Sequence, residues 1–285
     1  MTVKRVGIVG SGIMGSGIAE TAAKAGFEVV LRSRRQETAE ATIASLEKSL
    51  AKQVERGKLA DEERTAILSR VTGTSDLGDL AGVDLVIESV VEDLETKKHL
   101  FRDLDRIVGE GAVLATNTST LPVIDLAMET NRPAAVCGIH FFNPAPAMSL
   151  VEIVRPLTAS DETIALAKEF AATCGKEPVE VKDQAGFIVN HLLFPYLNNA
   201  VRLLEQGVAT REDIDTAMKG GCNFPMGPFA LLDLVGLDTS LAILDALYDE
   251  FRDPHYAAVP LLRRMVAAGR LGRKSGLGFY DYHRK

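Results

Sequence analysis

A histidine and a glutamate are spaced so that they could form an acid–base pair. His140 ends the apolar stretch that begins at Ala135, and Glu152 is twelve residues further on, inside the apolar run Leu150–Val154. A charged side chain in such a run is costly to bury unless it is paired. Because prolines between the two runs favour a hairpin-like return, Glu152 can reach His140. We therefore predict a histidine general base that is oriented by a carboxylate.

A glycine-rich segment near the start of the sequence has the spacing of a dinucleotide-binding loop. Gly10, Gly12 and Gly15 fit G-x-G-x-x-G, after the β-branched run Arg5–Val9 and before a helical pattern. In such a loop the first glycine allows a tight turn, the second lets backbone approach a pyrophosphate, and the third lets helix pack on strand. The helix N-terminus offers N–H groups to the anion. We predict a βαβ unit that binds a nicotinamide dinucleotide.

The second strand of this unit bears on which dinucleotide is bound. NAD-binding units carry Asp or Glu at the end of that strand, where it holds the ribose hydroxyls. Here the strand is followed by Arg32-Ser33-Arg34-Arg35, and Glu28 lies too early, inside the strand. Arginine binds phosphate in a charge-assisted fork, whereas a carboxylate would repel the 2′-phosphate of NADP. We therefore predict NADP rather than NAD; the alternative is that these arginines are merely solvated.

Two further segments carry polar groups that could face a ligand. Thr116–Thr120 follows a predicted strand, at the sheet edge where doubly wound folds bind ligands, although it could also cap a short helix. Asn190 is expected one turn into a long apolar helix, Ala185–Gln206. A mid-helix amide in apolar company usually needs a partner, so Asn190 is a candidate site residue.

The elements that must position these residues alternate between strand and helix up to Asp183 and are helical afterwards. This pattern predicts a Rossmann-type, doubly wound α/β domain over residues 1–183, with an inserted helical pair at about 37–69, and an all-α domain over residues 184–285. The predicted strands, which form a mostly parallel sheet, are Arg5–Val9, Glu28–Leu31, Asp84–Ile87, Ala112–Ala115, Ala135–Ile139 and Leu150–Val154.

Composition narrows the class of protein. The 285 residues are 46% hydrophobic and 25% charged, as in ordinary globular proteins, and the net charge of −7 argues against non-specific nucleic-acid binding. No apolar run is long enough to span a membrane, and we see no signal-peptide pattern. Cys137, Cys174 and Cys222 lack metal-ligand spacing. We expect reduced thiols, no metal and a cytoplasmic location.

Seven motifs spread over the chain together resemble the 3-hydroxyacyl-CoA dehydrogenase family, most closely its bacterial members that act on 3-hydroxybutyryl-CoA. They are Gly10–Gly15, Asn117–Ser119, His140–Pro144, Leu150–Glu152, Gly186–Asn190, Pro225–Phe229 and Gly276–Tyr280. The resemblance covers essentially the whole sequence, in order and at matching spacings. It implies an NAD(P)-dependent dehydrogenase that interconverts a 3-hydroxyacyl-CoA and its 3-oxo form.

The resemblance also implies roles for individual residues. His140 takes the proton from the 3-hydroxyl while hydride leaves C3, and Glu152 orients it. Ser119 hydrogen-bonds the substrate oxygen, and Asn190 contacts that oxygen from the second domain. With the residues discussed above, the expected cofactor-binding set is Gly10, Gly12, Ile13, Met14, Gly15, Ser33, Arg34, Glu92, Lys97, Asn117, Ser119, Asn143 and Lys274.

A short-chain acyl-CoA is the expected substrate. The long polar helix at about 37–56 carries Ser49 and Arg56, which match CoA-contacting positions, and Lys52 shares a helical face with Arg56. The alternative is a solvated charged face. The sequence departs from the family at Ser33, where an acidic residue is usual, and at His191, where arginine is common. The resemblance further implies a homodimer formed through the helical domain.

Two other readings stay open at this point. A gulonate-type sugar-acid dehydrogenase shares the fold and the His–Glu pair, but differs inside the motif His140–Pro144. A crystallin-like protein could bind the dinucleotide without turnover. Such a protein would not need His140 and Glu152 together, so their presence favours an enzyme.

Overall fold

The computed structural model describes residues 2–283, which form two compact units. Unit 1 ends at Asp183 and unit 2 begins at Gln184. Unit 1 is built on a single sheet, whereas the regular elements of unit 2 are helices and 3₁₀ turns, with two isolated bridges near Leu277. The predicted combination of a doubly wound α/β domain and a helical domain is confirmed.

The sheet of unit 1 has eight strands within the described residues. They are β1 (Arg5–Val9), β2 (Glu28–Arg32), β3 (Val71–Thr74), β4 (Leu85–Glu88), β5 (Val113–Thr116), β6 (Val136–Phe141), β7 (Leu150–Arg155) and β8 (Glu177–Lys182). Their order is β3-β2-β1-β4-β5-β6-β7-β8. All neighbouring strands are parallel except β6 and β7, which pair antiparallel. The order reverses between β1 and β4, and ligands bind at the carboxyl ends of strands beside such a reversal.

Helices cover both faces of this sheet, so its central strands are apolar runs rather than alternating ones. In unit 1 they are α1 (Ile13–Lys24), α2 (Gln36–Glu55), α3 (Asp61–Ser69), α4 (Leu94–Ile107), α5 (Val123–Ala127) and α6 (Asp161–Thr173). Two of them have side-chain caps: Asp93 accepts the Thr96 N–H at the start of α4, and Ser160 accepts the Thr163 N–H at the start of α6. These caps fix where each helix begins.

Unit 2 buries the apolar faces of its own helices. They are α7 (Val189–Glu205), α8 (Arg211–Cys222), α9 (Pro228–Val235), α10 (Leu237–Phe251) and α11 (Pro260–Ala267). Their core includes Phe194, Leu197, Phe229, Leu244 and Leu262. None of the helices within residues 2–283 has the length and apolar character needed to cross a membrane.

Four elements differ from the sequence-based expectation. Strand β8 was not predicted because it is an exposed edge strand with no buried apolar run, and β3 is too short to show a pattern. Helix α6 was also missed. The prediction that a helix begins at Ala185 was wrong, because Gly186 and Phe187 have positive φ angles of 74° and 47°, which a right-handed helix cannot include. Asn190 is therefore the second residue of α7, not one turn inside it.

Candidate active site

The glycine loop joins β1 to α1 and leaves bare backbone at the start of the helix. Gly10 has φ +122°, and a Cβ there would collide with the carbonyl oxygen of Ser89. A Cβ on Gly15 would collide with the carbonyl oxygen of Gly10. At Gly12, by contrast, nothing lies within 4 Å of the place a Cβ would take. Two glycines are thus required by the fold, and the third leaves room for a close ligand, so the cradle fits a dinucleotide pyrophosphate.

His140 and Glu152 lie directly opposite each other in the antiparallel pair β6–β7. The distance from His140 Nδ1 to Glu152 Oε2 is 2.7 Å, and the two residues are only 3% and 0% exposed. Since an ionised carboxylate can only accept, Nδ1 carries the hydrogen and donates it. The other ring nitrogen, Nε2, is then the basic atom of His140.

Ser119 lies next to that basic nitrogen. It follows β5, whose carboxyl end adjoins β6, and its Oγ is 3.2 Å from His140 Nε2. The Phe142 ring packs against the imidazole with a centroid separation of 4.6 Å. The arrangement Ser119–His140–Glu152 can move a proton to or from an oxygen bound beside Nε2 and the serine hydroxyl.

Asn117 and Glu92 hold the segment that carries the serine. Asn117 Oδ1 accepts the backbone N–H of Phe141 at 2.8 Å, which ties the ends of β5 and β6 together. Glu92 Oε1 accepts the backbone N–H of Ser119 at 2.9 Å, and its Oε2 lies 3.0 Å from Lys97 Nζ. Burial alone would raise the pKa of Glu92, but the Lys97 charge and these hydrogen bonds outweigh it and lower the pKa below its ordinary value.

The other expected nicotinamide-side residue of unit 1, Asn143, is exposed in the turn between β6 and β7. A lysine that the sequence analysis missed holds this turn. Lys176 Nζ donates to the carbonyl oxygens of Ala145 and Met148, each at 2.7 Å. No local pattern marks Lys176, so only the tertiary structure could reveal it. Glu88, the second missed residue, did carry a signal, because it ends an otherwise apolar strand.

The residues at the end of β2 lie beside the glycine loop. Ser33 is buried, and Ser11 donates its hydroxyl to Ser33 Oγ at 2.9 Å. Arg34 is exposed. The pKa of Arg32 is lowered by partial burial and by the positive charge of Arg34. Two arginines, Arg32 and Arg34, thus stand at the end of β2, on either side of Ser33.

The residues expected to contact CoA are exposed along one helix of unit 1. Ser49 and Lys52 lie on α2, and Arg56 follows its last residue. Within residues 2–283, no ion pair involves Lys52, Arg56 or their neighbour Lys48. These cations are therefore available to an anionic ligand.

Two expected site residues belong to unit 2. Asn190 is buried near the start of α7. Lys274 Nζ lies 2.5 Å and 2.7 Å from the two carboxylate oxygens of Asp238. Their roles at substrate and cofactor stay predictions. Across the described part of the chain, no group of three or more His, Cys, Asp or Glu side chains is placed to hold a metal ion.

Comparison with known families places both units of the chain. Residues 5–184 match the model described as the NAD-binding domain of 3-hydroxyacyl-CoA dehydrogenase. The chain belongs to the 3-hydroxyacyl-CoA dehydrogenase family. Residues 186–282 match the C-terminal domain of the same dehydrogenase. The family resemblance predicted from the motifs is thus confirmed over both units.

Individual dehydrogenases of the family are similar to this chain over nearly its whole length. A 3-hydroxybutyryl-CoA dehydrogenase of Mycobacterium tuberculosis is 50% identical, with coverage of 98% of this chain and 99% of that protein. One from Clostridioides difficile is 46% identical, with coverage of 98% and 100%. The crystal structure of (S)-3-hydroxybutyryl-CoA dehydrogenase from Ralstonia eutropha superposes with a TM-score of 0.96, at 42% identity and 99% coverage of each chain.

Proposed function

We propose that this dehydrogenase interconverts (S)-3-hydroxybutyryl-CoA and acetoacetyl-CoA with a nicotinamide dinucleotide. The observation that carries the proposal is the buried pair His140–Glu152 with Ser119 beside it, at the carboxyl edge of the sheet that also carries the glycine cradle. The names of the similar proteins from three bacteria support the same substrate.

The chain's own residues supply positioning and proton transfer. The glycine cradle would hold the dinucleotide, whose oxidised nicotinamide would supply the acceptor for the hydride of C3. His140 Nε2 accepts the proton of the 3-hydroxyl as the carbonyl forms, and Glu152 stabilises the resulting imidazolium. Ser119 donates a hydrogen bond to the same oxygen. Asn190 is proposed to contact the same oxygen, as the family resemblance implies. In the reverse direction, His140 returns the proton to the oxygen.

The proposed cofactor is NADP, and NAD is the alternative. Support comes from Ser33, which takes the position of the ribose-binding carboxylate of NAD-binding units. Such a carboxylate would repel the 2′-phosphate of NADP, whereas the exposed Arg34 next to Ser33 in the chain can attract it. The part-buried hydroxyl pair Ser11–Ser33 offers hydrogen bonds without negative charge. On the nicotinamide side, the proposed contacts are Glu92, Lys97, Asn117, Asn143 and Lys274.

The CoA moiety is proposed to bind along α2. Ser49, Lys52 and Arg56 are exposed there, and the two cations can bind the phosphates of the nucleotide.

We also propose a homodimer formed through unit 2, which has exposed apolar side chains such as Leu192 and Leu203. A cytoplasmic location is supported by three free cysteines.

Steady-state kinetics with a panel of substrates tests the proposed reaction. We expect turnover of acetoacetyl-CoA and (S)-3-hydroxybutyryl-CoA, lower kcat/KM for longer acyl chains, and no turnover of the (R) isomer or of L-gulonate. Efficient oxidation of L-gulonate would favour the alternative of a gulonate-type sugar-acid dehydrogenase. Tight dinucleotide binding without any turnover would favour a non-catalytic role.

A further inference from the structure

Glu88 lies in a buried polar network beside the candidate site. It is the last residue of β4, and its exposed fraction is 0%. Its Oε1 accepts the backbone N–H of Val90 at 2.6 Å, and its Oε2 accepts the hydroxyl of Thr116 at 2.7 Å. A buried carboxylate with this many donors is held in one position.

Lys97 connects Glu88 to a second carboxylate. Its Nζ lies 3.0 Å from each oxygen of Glu88 and 3.0 Å from Oε2 of Glu92. The side chain is 1% exposed, so the ammonium is enclosed by three carboxylate oxygens. An ammonium has three donors, and all three have an acceptor here. Lys97 is therefore held between Glu88 and Glu92, and Glu92 connects it to the serine segment.

Glu92 connects this pair to the serine. Its Oε1 accepts both the backbone N–H of Ser119, at 2.9 Å, and the hydroxyl of Thr118. Ser119 in turn lies 3.2 Å from His140 Nε2. Because Glu92 holds the backbone of Ser119 itself, a displacement of the Glu92 carboxylate displaces the serine hydroxyl from the imidazole.

We propose that Glu88 is a positioning residue for the dehydrogenase reaction, which acts through Lys97 and Glu92 to hold Ser119 at His140. If Glu88 loses its charge, Glu92 becomes the sole carboxylate partner of Lys97. The ammonium then draws Glu92 inward, away from the Ser119 N–H. A small misplacement of a group that contacts the reacting oxygen is enough to slow catalysis strongly.

A double-mutant cycle tests this coupling, with the proposed acetoacetyl-CoA reduction as the assay. We expect Glu88→Gln to lower kcat on the order of 10- to 100-fold while KM changes little. In a Ser119→Ala background, the same substitution should lower kcat by less than about threefold, because the serine hydroxyl that Glu88 helps to position is absent. If Glu88→Gln lowers kcat by the same factor with Ser119 and with Ser119→Ala, the proposal is overturned. If Glu88→Gln does not fold, Glu88→Asp can replace it, because the shorter side chain keeps the charge but moves the carboxylate away from Lys97. Its effect on kcat should likewise be smaller in the Ser119→Ala background.

A second readout does not depend on turnover. In protein with ¹⁵N-labelled histidine, Glu88→Gln should move the ring ¹⁵N shifts of His140 in the same direction as Ser119→Ala does. Asp105→Asn is the matched control, since Asp105 is also buried but pairs with Arg132 instead. It should leave the His140 shifts unchanged. An unmoved His140 signal in Glu88→Gln would overturn the proposal even if the wild-type chain reduces acetoacetyl-CoA. A moved signal in a chain without that activity would support the positioning role and reject the proposed substrate.

Discussion

His140 Nδ1 and Glu152 Oε2 lie 2.7 Å apart, between residues that oppose each other directly in β6 and β7. The antiparallel hairpin thus sets the tautomer of the imidazole, because the carboxylate accepts the hydrogen on Nδ1 and leaves Nε2 as the base. In the proposed reaction, this contact orients the imidazole and places its hydrogen on Nδ1.

Glu152→Gln should therefore lower kcat while the substrate still binds. The amide can donate to Nδ1 and favour the wrong tautomer, and it does not stabilise the imidazolium. We expect a loss on the order of 100-fold or more in kcat, as for other bases that lose an orienting carboxylate. The control is Glu180→Gln, an exposed carboxylate on β8 that pairs with Arg155. If both variants lose activity equally, Glu152 has no special role.

Cofactor preference should depend on Ser33. We expect the wild-type chain to have a higher kcat/KM with NADPH than with NADH. Ser33→Asp should lower kcat/KM with NADPH by about tenfold or more, since a carboxylate repels the 2′-phosphate, while NADH kinetics change little. Arg34→Ala should also weaken NADPH selectively. A clear preference of the wild-type chain for NADH would reject the proposed role of both residues.

Charge reversal at Arg56 should act on the nucleotide part of the substrate. We expect Arg56→Glu to raise KM for acetoacetyl-CoA by roughly three- to tenfold, with a smaller effect on kcat. The substitution removes the proposed ion pair between Arg56 and a phosphate of CoA, and the new carboxylate repels that phosphate. A short acetoacetyl thioester that lacks the nucleotide provides the control, and its KM should not change. An unchanged KM for the CoA ester would leave Arg56 as a solvated surface residue.

Asp233 should matter for the stability of unit 2 rather than for chemistry. It is 1% exposed, and its two oxygens accept the backbone N–H groups of Phe279 and Tyr280, both at 2.8 Å. An amide can accept only one of them, so Asp233→Asn should lower the free energy of unfolding by about 1–3 kcal/mol. Chemical denaturation measures this difference. An unchanged free energy of unfolding would show that the C-terminal segment is held by other contacts.

The difference in the free energy of unfolding between wild type and Asp233→Asn should change with pH in a defined direction. Burial raises the pKa of Asp233 above its ordinary value, despite the hydrogen bonds that oppose the shift. The folded state therefore holds a proton at pH values where the unfolded state has lost it, and this group contributes more stability as the pH falls through the raised pKa. The stability gap between wild type and Asp233→Asn should widen from pH 7 toward about pH 4, near the ordinary pKa of aspartate. A gap that narrows over this range would contradict the assigned shift.

Local patterns predicted the parts of the site that lie on regular elements. A histidine and a glutamate in two apolar runs, separated by prolines, indicated the β6–β7 hairpin, and the glycine spacing indicated the cradle. The start of α7 was predicted wrongly, because Gly186 and Phe187 leave the helical region of φ and ψ. Such a turn depends on contacts made after folding, which an apolar periodicity does not reveal.

The support around Ser119 could not be predicted in the same way. Glu88, Lys97 and Glu92 come from β4, α4 and the loop between them, and they meet only because the sheet brings the ends of β4 and β5 together. Lys97 and Glu92 were assigned to the cofactor from the family resemblance. Their contacts with each other and with the serine segment are visible only in the structure.

The proposed reaction is tested most directly by one comparison on His140→Ala, in which kcat for acetoacetyl-CoA reduction and the Kd for the dinucleotide are measured together. We predict that kcat falls on the order of 1,000-fold or more, since the imidazolium that donates the proton in this direction is lost, while Kd stays within about threefold of wild type. Retained kcat in a folded His140→Ala protein would contradict the account, because it would show that proton transfer does not pass through His140.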